Sequence, residues 1–177
     1  MSSKVIYTIG HSNREIEEFI EILLGYGVER LYDVRRWPSS RANPQYNMDR
    51  LSRSLESVGI EYIWYGEELG GYRKFGYDVD YIDIKCFKSR GFKAYAAYIL
   101  RSVKAIEALR NIEMSSMDRA SVIMCSEYLP YRCHRKIISD WLFSRGYKVI
   151  HILDKSRFIT HRLSGCASID GGVLRYV

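Results

Sequence analysis

The chain has 177 residues and a net charge of +6, from 27 Lys and Arg against 21 Asp and Glu. Its 47% hydrophobic and 27% charged residues are globular values that exclude a disordered or low-complexity chain. A chain of this length buries enough surface to fold without disulfides or a structural metal.

No linker, repeat or composition break divides the sequence, so it reads as a single domain over residues 1–177, with 155–177 an irregular tail. The N-terminal "MSSKVIYTIGHSNREI" lacks the long apolar core of a secretory signal, and no stretch approaches a membrane span. The expectation is a soluble, cytoplasmic protein with no membrane partner, whose Cys86, Cys125, Cys133 and Cys166 are reduced thiols. The basic charge and 15 tyrosines suit a polyanion, although a basic solvated surface has the same composition.

"KVIYTIG" (residues 4–10) is a short β-branched and aromatic strand ending in glycine. In the segment that follows, Ile16, Phe19, Ile20, Leu23 and Leu24 recur at helical spacing. Ser12 with Glu15 forms a capping-box pattern, so the predicted helix starts at Ser12 and ends near Gly25 or Gly27. "RLYDV" (30–34) is a buried strand, followed by the loop "RRWPSSRANPQYN" and a helix led by Asn47 that carries Leu51, Leu55 and Val58. "IEYIWY" (60–65) is the third strand. Residues 66–92, rich in glycine and tyrosine, have no period and read as a functional loop. A helix is predicted over 93–112, a strand over 120–124, a helix closing at Gly146 and a strand over 148–153.

Strands alternating with helices imply a mostly parallel sheet covered on both faces. The expected fold is a single three-layer α/β domain, Rossmann-like, with an open sheet of about five strands. Ligands of such sheets bind beyond the carboxyl ends of the strands. His11 and Ser12 follow the first strand, Asp33, Arg35 and Arg36 the second, and "CSEYLPYRCHR" the fourth, so one sheet edge gathers these residues with Arg41.

His11 suits acid, base or ligand roles. Ser12 could cap a helix, and such a cap is also an anion site. Asp33 could satisfy backbone amides or pair with an arginine of the next loop. Arg35, Arg36 and Arg41 flank Trp37, a composition suited to clamping phosphate while an aromatic covers a ring. Pro130 turns the chain into a helix predicted to start near Arg132. Cys133 and His134 would then lie in its first turn, where the dipole, His134, Arg132 and Arg135 favour the thiolate. Cys125 reads equally as a small buried residue. Seven residues separate Cys125 from Cys133 and no second ligand pair exists, so no metal is assigned; a set completed in space by His11 and His151 remains open.

"TIGHSN" (8–13), "DVRRWPSSRANPQYN" (33–47), "LGG" (69–71), "CSEYLPYRCHRKIISDWL" (125–142) and "VIHI" (149–152) together resemble the family catalogued as domain of unknown function 488. The resemblance implies a Rossmann-like domain and matches the family's motif positions at His11, Ser12, Asp33, Arg35, Pro38, Cys125, Glu127, Pro130, Cys133, His134 and Arg135. It departs at "GGY" (70–72), where relatives often have arginine, and Arg73 carries that charge one position later.

The functional expectation is an enzyme, hydrolase-like, that cleaves a phosphoester or N-glycosidic bond of a phosphate-bearing small molecule, nucleotide or nucleic acid, without a cofactor. Glu127, Cys133, His11 and Asp33 are the candidate catalytic groups. Ser12, Arg35, Arg36, Trp37, Arg41, His134 and Arg135 are the candidate binding groups. The alternatives are a noncatalytic nucleic-acid-binding module, and a thiol redox or metal-binding protein.

Overall fold

A computed structural model describes residues 4–177. The chain runs β1 (Val5–Gly10), α1 (Ile16–Gly25), β2 (Arg30–Asp33), α2 (Met48–Glu56), β3 (Glu61–Trp64), α3 (Gly66–Leu69), α4 (Arg90–Arg101), α5 (Val103–Ser115), β4 (Ser121–Cys125), α6 (Arg135–Ser144), β5 (Lys148–Ile152), β6 (Phe158–Thr160), β7 (Ala167–Asp170) and β8 (Val173–Tyr176). Short 3-10 turns at Pro44–Tyr46 and Pro130–Arg132 precede α2 and α6. The expected α/β architecture is present, as a six-stranded sheet in the order β3-β2-β4-β1-β5-β6. Five strands are parallel, and β6 runs antiparallel along β5.

Alternation along the strands sorts side chains to the two faces. Ile9, Leu31, Val122 and Met124 join Phe19, Ile22 and Leu23 of α1 and Leu51 and Leu55 of α2 in one core. Ile6, Tyr32, Ile123 and Val149 join residues of α4, α5 and α6 in the other. Each fully buried aliphatic side chain contributes roughly 1.5–3 kcal/mol, so both layers are held by their apolar stripes.

Several local expectations are corrected. Ser12 is no helix cap: its φ is 52°, and α1 starts at Ile16. The Arg14 guanidinium donates to the carbonyls of Gly10, His11 and Leu153, while its own carbonyl accepts from the Tyr46 hydroxyl, which holds 11–15 as a turn. The helix predicted over 93–112 is two helices, broken where Ser102 turns extended and its Oγ accepts from Ala105 N.

The tail expected to be irregular is ordered. β6 satisfies the free edge of β5, and β7 and β8 form a hairpin whose Leu174 and Tyr176 enter the second core. A disulfide joins Cys86 of the middle loop to Cys166, so two of the four cysteines expected as thiols are bonded, while Cys125 and Cys133 are free.

Gly10 closes β1 where the chain after β4 crosses it. A Cβ there would sit 1.8 Å from the Glu127 carbonyl oxygen, so only glycine fits without moving that backbone. Gly10→Ala should therefore destabilise the protein by about 1–3 kcal/mol, the usual range for overpacking. Chemical denaturation measures it, and an unchanged midpoint would show that the loop yields freely.

Candidate active site

β1 and β4 are neighbours with Gly10 opposite Cys125, yet their chains leave in opposite directions. The first leads to α1 on one face, the second through the Pro130 turn to α6 on the other. This divergence opens the crevice expected at a topological switch point. It is a cleft of about 950 Å³ lined by His11, Ser12, Asn13, Arg35, Arg36, Trp37, Ser39, Ser40, Asn43, Gly71, Tyr72, Ser89, Gly91, Phe92, Tyr95, Cys125, Ser126, Glu127, Arg132, Cys133 and His134.

Eight of the expected site residues line this cleft: His11, Ser12, Arg35, Arg36, Trp37, Glu127, Cys133 and His134. Asp33 does not. It is fully buried, and its carboxylate accepts from Arg35 Nε (2.9 Å) and Nη2 (2.7 Å) and from the Tyr62 hydroxyl (2.6 Å). It holds Arg35, the pairing with an arginine of the next loop that the sequence allowed, and does not line the cleft as the catalytic assignment requires. Arg135 lies beneath the cleft, fully buried, and Arg41 is exposed outside it.

On the α1 side, His11 stacks on the Tyr46 ring at 4.1 Å between centroids. Arginine is a pure donor, so the 3.2 Å contact from Arg35 Nη1 makes His11 Nε2 an acceptor and leaves Nδ1–H for the Ser12 carbonyl at 2.7 Å. Burial, followed by the charge of Arg35, pushes the His11 pKa down to about 4. The imidazole is thus neutral at pH 7 with its lone pair occupied, which makes it a spacer for Arg35 rather than a base.

On the α6 side, Cys133 precedes the helix instead of lying in its first turn, with φ −122° and His134 as the cap residue. Its Sγ lies 2.9 Å from Cys125 Sγ, 3.4 Å from His134 Nδ1 and 3.5 Å from Arg135 N. Burial pushes the Cys133 thiol up, but the Cys125 hydrogen bond, His134 and Arg135 outweigh it and hold the thiol well below its usual value. Burial and the same hydrogen bond push Cys125 well above its usual value, so Cys125 keeps its proton and donates it. Cys125 is therefore a partner of Cys133 as well as a packed residue.

Arg135 is reached by a buried polar chain that had no local signature. Its Nη1 donates to Thr8 Oγ1 (3.1 Å), which lies 2.7 Å from His151 Nδ1. His151 Nε2 lies 3.0 Å from His161 Nδ1, and His161 Nε2 lies 2.9 Å from Asp140 Oδ1. Ser164 and Tyr176 hydroxyls complete the Asp140 carboxylate. His151, left open as a metal ligand with His11, is thus committed to Thr8 and His161. Among the described residues no group of three or more His, Cys, Asp or Glu is arranged to hold a metal ion.

The rim is aromatic and cationic. Trp37, 63% exposed, lies 5.4 Å from the Tyr72 ring, and Arg36 Nη1 donates to the Tyr72 carbonyl. Tyr72 was legible only as part of an aperiodic Gly/Tyr loop. Ser12 and Tyr72 are the two described non-glycine residues with positive φ, at 52° and 62°, and both line the cleft. Such conformations cost about 1–3 kcal/mol each and concentrate at functional sites. Glu127 is exposed, with Oε1 accepting from Leu129 N at 3.3 Å.

Because the folded pKa of His11 is below its unfolded value of 6.5, its contribution to stability is complete above pH 6.5 and is lost as pH falls toward about 4. The loss amounts to about 3 kcal/mol. His11→Asn should flatten this part of the stability–pH curve, and parallel curves for the two proteins would refute the assignment. Alkylation of Cys133 by iodoacetamide should persist well below the free-thiol pKa of about 8.5. Peptide mass spectrometry follows it, and labelling confined to pH above about 8 would exclude a stabilised thiolate.

The comparison with protein families matches the description "Domain of unknown function DUF488" over residues 15–142. The match takes in the Asp33–Arg36 loop, the middle helices and the Cys125–Cys133 turn, and excludes the "GHS" turn and β5. No curated protein and no solved structure matches the chain. The match covers most of the sequence, including the Arg35–Trp37 and Cys125–His134 parts of the cleft, and on that basis the chain belongs to the DUF488 family.

Proposed function

We propose that the protein is an enzyme that cleaves a phosphate-bearing substrate, a nucleotide or a nucleic acid, with Cys133 as covalent nucleophile. The supporting observation is a hydrogen-bonded, electrostatically favoured thiolate on the floor of a cleft whose rim carries Arg36, Arg132 and the Trp37–Tyr72 pair. The arginines supply charge for phosphate, and the aromatic pair supplies a face for a base.

In the first step the Cys133 Sγ forms a bond to phosphorus or to the anomeric carbon, the bond from that atom to the leaving alcohol or base breaks, and the leaving group takes a proton from the Glu127 carboxyl, which becomes the carboxylate that accepts a proton from water in the second step. In the second, water deprotonated by Glu127 attacks the same atom, and the S–P or S–C bond breaks to restore the thiolate. Arg35, held by Asp33 and His11, supports the binding wall. A second hollow of about 710 Å³ shares Arg36 and Trp37 with the cleft, which leaves room for a longer strand.

The rival reading, a nucleic-acid-binding module without catalysis, draws on exposed tyrosines beyond the cleft, Tyr77 at 90% and Tyr81 at 70%. A panel of nucleotides and oligonucleotides separates the two. Wild-type protein should release product, Cys133→Ala should lose at least about a thousandfold, and Glu127→Gln should accumulate a covalent adduct. Binding that falls steeply with salt, equal in all three proteins and without product, would establish the module instead.

A further inference from the structure

We propose that Cys125 and Cys133 form a dithiol–disulfide couple that reduces a small anionic disulfide entering the cleft, with Cys133 attacking and Cys125 resolving. The two Sγ atoms are already 2.9 Å apart, so closing to a bond of about 2.05 Å needs a shift of less than a bond length. Both thiols line the cleft, whereas the Cys86–Cys166 bond lies outside its lining. The roles follow from the surroundings. Cys133 Sγ accepts from the Arg135 amide at 3.5 Å and lies 3.4 Å from His134 Nδ1 at the start of α6, whereas Cys125 Sγ ends β4 with Cys133 Sγ (2.9 Å) and the Glu127 carbonyl (3.7 Å) as its neighbours.

The Nε of Arg135 adds an independent observation. It is a buried donor with no partner among the described residues, on a fully buried guanidinium. A buried cation with an unused donor is stabilised by an anion, and the thiol pair is the anionic group beside it. A cleft of about 950 Å³ has room for a small molecule. Arg36 and Arg132 at its rim favour an anionic one.

The chemistry balances with the disulfide R–S–S–R′ as oxidant. Cys133 thiolate attacks one sulfur, a Cys133–S–S–R bond forms, the S–S bond of the small molecule breaks, and R′S⁻ leaves and takes the Cys125 proton. The Cys125 thiolate then attacks Cys133 Sγ, the protein disulfide forms and RS⁻ departs. Two electrons pass from the dithiol to the small molecule. The couple stands apart from the proposed cleavage reaction, because neither step involves a nucleotide.

Glutathione disulfide serves as the probe, read by intact mass and by non-reducing peptide mapping. Wild-type protein should lose two hydrogens, link Cys125 to Cys133 and retain no adduct. Cys125→Ser and Cys125→Ala should each trap one glutathione on Cys133. Cys133→Ser should react more slowly by about tenfold or more. The proposal is overturned if wild-type protein keeps glutathione on Cys133 without the link. Absence of reaction, links to Cys86 or Cys166, or equal uptake by the Cys125 and Cys133 variants would overturn it too. The couple rests on the same reactive Cys133 as the cleavage proposal, but glutathione kept on Cys133 without the link overturns the couple alone, and loss of nucleotide cleavage with the link intact overturns the cleavage proposal alone.

Discussion

A guanidinium buried in the middle of the sheet's second layer is the costliest element of the structure, and much of the site is arranged around it. Arg135 is 0% exposed, and a charge so placed is tolerated only where it is paired and hydrogen-bonded. The balancing carboxylate, Asp140, is in the same helix but is reached only through Thr8, His151 and His161. A carboxylate in direct contact would absorb the field of Arg135. Separating the two charges by three uncharged or weakly basic groups leaves that field directed at the thiols, while every link of the chain stays hydrogen-bonded.

The opposite wall solves the same problem at shorter range. Asp33 takes Arg35 bidentately, Tyr62 fills a remaining acceptor site and His11 stands at the far end of the guanidinium. Two arginines are thus desolvated on the two sides of one crevice, one clamped directly and one through a relay. The rim arginines remain wet and adjustable. The cleft combines buried, hydrogen-bonded charges below with more exposed charges and aromatic rings above.

Periodicity carried the fold: apolar spacing in α1, α2 and α6 and the β-branched runs of β1, β4 and β5 point to a parallel α/β sheet, and most of the site residues expected from the strand-end rule line the cleft. What it missed depends on distant partners. Ser12 and Glu15 satisfy a local capping pattern, but Arg14 finds three carbonyls, one of them at Leu153, and the turn follows those bonds. Asp33 reads either as the partner of an arginine in the next loop or as a reacting carboxylate, and only the contact with Tyr62, across 29 residues, completes the first arrangement. Thr8 and His151 are 143 residues apart and adjacent in the sheet register. The Cys86–Cys166 bond likewise arises from tertiary pairing, across 80 residues of chain, that no local window contains.

The position of β1 between β4 and β5 also bears on how the chain is made. β1 has neither ladder partner until residues 121–125 and then 148–152 are synthesised, because β2 pairs with β3 and β4 instead. Through most of translation Ile6 and Ile9 have no strand on either side. The centre of the sheet is therefore complete only when β4 and β5 are both available to flank β1. The cleft, built on the β1–β4 seam, is therefore absent from every N-terminal fragment that ends before residue 121 and is among the last features of the fold to form.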